Sequence, residues 1–418
     1  MTGWTGSAAA APSRTRHRWG RFVPTDEGHT VTTLELLFDL VFVFAITQVT
    51  AFMADDLGWR GVLRGLVMIA LLWWAWCSYA WLGNQARADE GVVRAGVLVA
   101  MAAMFFVALA IPEAWNDRGA GLHAPLVLAV ALAVVRLGHL GVYTVAAAGD
   151  SGLRRQLRRT AVPVFTAAAL LVVGALLGGP AQTGLWALAL VVDYIGVYAA
   201  GAGGWRLPAP RHFAERHGLI VLIALGESII AVGVGVTDLP LTVPIAATAL
   251  LGLTVTVALW WTYFDVVAPV AERVLREQPA AQRPRLARDS YTYLHFPMIA
   301  GIIYLALGLK KVAQYVGDTG SHTLTDPLSA TPLWALFGGA AAYLLGHLAF
   351  RERNIGSINR PRAVVVLLLL LAPLGARHLP ALAALGLLTL LLVGLVAYEV
   401  VHFAEARAAV RREAAEHH

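Results

Sequence analysis

The sequence predicts an all-α polytopic membrane protein of about twelve transmembrane helices, arranged as two parallel six-helix repeats. Composition is the first reason. Of 418 residues, 58% are hydrophobic and 14% charged, with a mean hydropathy of +0.66, far more apolar surface than a soluble core of this length can bury. The second is the alternation of basic and non-basic loops between apolar runs. The third is a set of landmarks that recur in the same order in both halves of the chain.

Residues 1–30 carry Arg14, Arg16, Arg18 and Arg21 without an apolar stretch, so they read as a basic cytoplasmic tail and not a cleavable signal. A bilayer core about 30 Å thick needs roughly 20 apolar residues in a helix. Runs of that kind lie near 31–54, 62–83, 92–112, 123–147, 160–179, 183–203, 217–237, 243–266, 291–313, 331–350, 362–378 and 382–404. With the N-terminus placed inside, 25 basic residues fall in the inside segments and six outside. That asymmetry predicts a bacterial inner-membrane protein with both termini in the cytoplasm. The net charge of +6 therefore reports topology, and nucleic acid is not an expected partner.

The repeat rests on four pairs of landmarks. Asp39 in the first run and Glu227 in the seventh are single acids in apolar surroundings, Trp73-Trp74 matches Trp260-Trp261, and Gly138-His139-Leu140 matches Gly346-His347-Leu348. Asp193-Tyr194 matches a reversed Tyr398-Glu399. Six spans per repeat is an even number, so both halves have the same orientation about an axis along the membrane normal. The expected units are a first repeat over 31–203, a linker over 204–216, a second repeat over 217–404 and a tail over 405–418, with 267–290 as a long inside loop.

An ionisable group at membrane depth costs several kcal/mol unless it is paired or wet, so the buried polar residues are the candidate site. Glu35 and Asp39 lie four apart on one helix face, with Thr47 further along it. Glu227-Ser228 is the counterpart in the second half, Arg136 and His139 share a face of the fourth span, Asp193 sits mid-span, and His347 lies in the tenth. One reading makes these ion pairs that pin the bundle, with Arg136 neutralising Asp39 or Asp193 and Glu227 paired with a histidine. The sharper reading has Asp39 and Glu227 facing each other across the repeat axis and lining a route for a cation, a proton or a small solute. The tryptophans of the second span are expected to pack against the first and seventh helices.

Enzyme signatures are absent: there is no His-Glu-x-x-His zinc helix, no Gly-x-Ser-x-Gly elbow and no Walker loop. The single cysteine, Cys77, excludes an intramolecular disulfide and a cysteine metal cluster. Neither cofactor nor metal is expected. A transporter or channel is the leading reading, and a lipid-handling membrane enzyme or a structural scaffold is the alternative.

The segment from Leu34 to Gln48, with Glu35, Phe38-Asp39 and Thr47, strongly resembles the signature of the bacterial low temperature requirement A (LtrA) family. Ala224-Leu225-Gly226-Glu227-Ser228-Ile229 resembles its second signature, and His212-Phe213-Ala214-Glu215-Arg216-His217-Gly218 looks like its lead-in. The similarity runs from about Arg18 to Phe403, and it implies a membrane protein named for a cold-growth phenotype. Asp39 to Thr47 also resembles one helix of the lysosomal and bacterial potassium-channel family. Phe44 and Val232 stand where that family has an isoleucine constriction, and Phe38 stands at its serine. That likeness implies a pore ringed by four repeats, hence a homodimer.

Overall fold

The computed structural model describes residues 23–404 apart from 118, 120 and 238, together with 408 and 412. The basic tails at 1–22 and beyond 404 otherwise lie outside the described residues. Among those described every regular element is helical, with three isolated β-bridges and no strand.

The first half contains α1 (Thr33–Asp55), α2 (Trp59–Gln85), α3 (Gly91–Ala110), α4 (Ala124–Ala146), α5 (Ser151–Leu177) and α6 (Gly179–Ala199). Their boundaries follow local chemistry. Thr32 and Glu35 form a capping box at the start of α1. Asp150 caps α5 through the backbone N–H groups of Gly152 and Leu153. Gly178 and Gly179, at φ of 66° and 56°, make the tight α5–α6 turn that residues with a Cβ resist.

The second half begins with α7 (Pro210–Gly235) and α8 (Val243–Phe264) and ends with α12 (Ala330–Ile355), α13 (Arg360–Ala376) and α14 (Ala381–His402). Between them the expected 267–290 loop is largely helical. It forms α9 (Val267–Glu277), the single turn α10 (Arg283–Leu286) and a π-helical segment, Ala287–Tyr293, leading into α11 (His295–Gly317). The reason is amphipathic patterning: Val267, Ala271 and Leu275 are buried on one side of α9, while Glu272, Arg273 and Arg276 line a cleft on another. The expected linker at 204–216 likewise contains the first two turns of α7.

Among the described residues eleven stretches are long and apolar enough to cross a membrane; α13, at 17 residues, is not one of them. Many aliphatic side chains, including Leu40, Phe165, Leu177, Ile195 and Leu390, are exposed on the outside of the bundle, as expected of helices whose outer faces meet lipid. This is a multi-pass membrane protein.

The most intimate contact is between α11 and α12. A Cβ on Gly301 would lie 2.6 Å from the Gly339 carbonyl oxygen, and one on Gly308 2.6 Å from Leu336 Cα. Small residues let these backbones touch, the usual device where lipid removes the hydrophobic drive between helices. Helices α1 and α7 also pack together and run in the same direction, because Glu35 meets Arg216 at one end and Thr47 meets Glu227 further along.

Candidate functional site

The site lies where α1 and α7 start. Glu35 and Asp39 present their carboxylates four residues apart to His212 and Arg216, also four apart, on α7. Arg216 bridges both acids, with Nη1 donating to Glu35 Oε1 at 2.8 Å and Nη2 to Asp39 Oδ1 at 2.7 Å. His212 Nε2 lies 3.0 Å from Glu35 Oε1 and 3.2 Å from Oε2. The Thr32 amide and hydroxyl both donate to Glu35 Oε2 at 2.9 Å. From α2, the Trp76 indole N–H donates to Asp39 Oδ1 at 2.8 Å, and its ring stacks beneath the Arg216 guanidinium. Glu35, Asp39, His212 and Arg216 are all at most 2% exposed.

Two carboxylates share one guanidinium, so with neutral imidazoles the cluster carries one excess negative charge. Asp39 Oδ2, Arg216 Nε and His212 Nδ1 are buried and have no protein partner among the described residues. Space is tight. A Cβ on Gly83 would collide with the Glu35 carboxylate, so glycine at that point of α2 makes room for the acid. Just before α1, the His29 ring packs against His212 with centroids 4.8 Å apart and planes tilted by 40°. Burial and the neighbouring His212 hold its pKa below the usual histidine value.

Glu227 lies elsewhere. Thr47 donates to its Oε2 at 2.7 Å, and no cation lies within salt-bridge distance of it among the described residues. Thr47 is eight residues beyond Asp39, about 12 Å along α1 at 1.5 Å per residue. The two acids therefore sit at different depths of one helix interface and do not face each other, with buried apolar side chains such as Phe42, Ile46, Ile220 and Ala224 between them. Glu227 is partnered by a hydroxyl, not a histidine. The Ser228 hydroxyl is buried without a partner among the described residues.

The remaining sequence-predicted residues form two other clusters. Arg136 binds Asp193 through Nε and Nη2, at 2.7–3.0 Å, contacts Ser78, and lies over the Trp74 ring. Thus Asp193, not Asp39, is its partner. His139 lies one turn away against Tyr79 and Tyr143, its Nε2 without a partner among the described residues. A cavity of about 70 Å³ opens beside Arg136, His139 and Trp74. In the second half His347 accompanies Arg362, whose Nε and Nη2 donate to Glu399 at 2.6 and 2.7 Å. Asn359 donates to the same acid.

Sequence reasoning missed Arg216 and Arg362 as site residues, placing the first in the linker over 204–216 and the second at the basic edge of the run over 362–378. They are 1% and 4% exposed because helices α7 and α13 start earlier than hydropathy suggests. The signal was present: His212 and Arg216 have the same four-residue spacing as Glu35 and Asp39, with opposite charge. Thr32-x-x-Glu35 is also a capping-box pattern.

Residues 30–397 match the family model described as bacterial low temperature requirement A protein. The chain is also 30% identical over 326 residues to the uncharacterised protein RA0937 of Rhizobium meliloti (strain 1021), covering 73% of this chain and 75% of the relative. No solved structure matches it. On this similarity the chain belongs to the bacterial low temperature requirement A family.

Proposed function

We propose that this protein is a transporter or channel that moves a proton, a small cation or a solute coupled to one, using the two acid sites at the α1–α7 interface. The observation that carries this reading is Glu227: a carboxyl group 2% exposed, bonded to the Thr47 hydroxyl and without a salt bridge among the described residues. In a membrane interior such a group is either protonated or holds a cation, and alternation between those states is the chemistry of coupling. The excess negative charge around Asp39, with its unpartnered Oδ2, supplies a second station nearer the end of the bundle. The fully paired clusters at Arg136–Asp193 and Arg362–Glu399 serve as struts in this reading.

Two further proposals accompany it. The chain consists of two parallel six-helix repeats, with α13 as the twelfth span. The parallel course of α1 and α7 favours this, as do matched pairings in each half: α1 with α2 and α3 as α7 with α8 and α11, α3 with α4 as α11 with α12, and α2 with α6 as α8 with α14. The basic segments favour an inner-membrane location with both termini in the cytoplasm. Purified protein in liposomes, assayed for flux of protons, potassium, sodium and small solutes, tests the reading. Flux above protein-free liposomes is expected for at least one of them, and none for any would overturn it.

A further inference from the structure

We propose that His29, Glu35 and His212 form a binding site for a divalent transition-metal ion of the zinc class, which clips the segment before α1 onto α7. Nothing in the transport reading requires it. One ligand atom from each of the three residues lies within 4.8 Å of the others. His212 Nε2 stands 3.0 Å from Glu35 Oε1, close to the roughly 3.3 Å that separates donors bound at about 2.0–2.1 Å around a tetrahedral ion. Two imidazoles and a carboxylate suit zinc and its first-row neighbours, not calcium or magnesium.

Three features build the site around those ligands. His29 Nε2 is buried and has no protein partner among the described residues, an arrangement that leaves a donor waiting beside Glu35 and His212. The Glu35 carboxylate is already oriented by Thr32 and Arg216, the outer support that metal-binding carboxylates use. The charge balance also favours a cation, because Glu35 and Asp39 together exceed Arg216 by one negative charge. Entry is available through a polar cleft lined by Asp26, His29, Thr30, Thr32, Arg87 and Asp89, in which Arg87 pairs with Asp89.

The segment carrying His29 is held at its beginning by backbone bonds and at Glu27 by Arg283, whose Nη1 donates to Glu27 Oε1 at 2.9 Å. Thr25 N–H donates to the Gln85 carbonyl at 3.3 Å, and Arg87 N–H to the Val23 carbonyl at 3.0 Å. A metal bound to His29 and His212 adds a further fastening, directly over the carboxylate cluster.

The test uses the full chain in detergent, freed of any affinity tag and stripped with chelator, then titrated with Zn²⁺ and with Co²⁺ as a spectroscopic stand-in. One equivalent per chain is expected, with a visible Co²⁺ absorption band of low-symmetry coordination and a Zn²⁺-dependent rise in melting temperature. His29→Ala, at a half-buried position, should keep the metal-free melting temperature and weaken Zn²⁺ binding at least tenfold. His29→Cys should restore it, since thiolate also ligates zinc. Absence of stoichiometric binding would overturn the proposal. So would Zn²⁺ binding that survives His29→Ala but is lost when His417 and His418 are removed.

Discussion

Replacing Arg216 by glutamine leaves two buried carboxylates facing each other with no cation between them. Arg216 holds Glu35 at 2.8 Å and Asp39 at 2.7 Å. Charge centres about 4 Å apart at an effective dielectric of about 20 attract by about 4 kcal/mol per pair, so about 8 kcal/mol is the ceiling. Protonation of one carboxyl relieves part of that, and the expected loss of stability is about 3–5 kcal/mol, as for other broken buried pairs. Asp39→Asn has the opposite character. It removes the excess charge, leaves the Glu35–Arg216 pair intact and keeps an oxygen for Trp76 and Arg216, so its cost should stay within about 1.5 kcal/mol. Adding Asp39→Asn to Arg216→Gln should recover part of the loss, a coupling that a double-mutant cycle measures. Unfolding of the purified variants by denaturant titration in mixed micelles gives the four values. If Asp39→Asn costs as much as Arg216→Gln, or if the two effects simply add, the shared-guanidinium account is wrong.

Further expectations follow from the same geometry. Gly83→Val should displace the Glu35 carboxylate from His212 and lower the melting temperature, whereas Gly141→Val, where a Cβ meets nothing within 4 Å, should not. Gly308→Leu should wedge α11 from α12 at a cost of at least about 1–3 kcal/mol, read as a loss of monodisperse protein on size exclusion. Glu399→Gln should destabilise by about 3–5 kcal/mol because it strands Arg362, and Arg362→Gln added to it should restore folded protein. A stable Glu399→Gln variant would contradict the strut assignment.

The membrane class was legible because composition and span length are dictated by the solvent around the helices. So was the choice of Glu35, Asp39, Asp193 and Glu227 as acids inside the spans, and each is buried in the bundle. Their pairing was not legible. Hydropathy places a span boundary where arginines begin, and Arg216 and Arg362 sit at such edges, although each is buried by helices from elsewhere in the chain. The α9 segment was hidden for a related reason: its charged side chains lower the average hydropathy even though Val267, Ala271 and Leu275 are fully packed. Depth was also lost, because a match between repeats aligns Asp39 with Glu227 in sequence without saying that α1 and α7 pack with Thr47 opposite Glu227.

The most direct test of the transport reading compares wild-type protein with Glu227→Gln in liposomes. Glutamine keeps the shape and can still bond to Thr47, but it can neither exchange a proton nor neutralise a cation, and with no salt bridge to break it should fold in normal amounts. The account predicts ion or proton-coupled flux by the wild type and its loss in the folded variant. Equal flux through both proteins would contradict it.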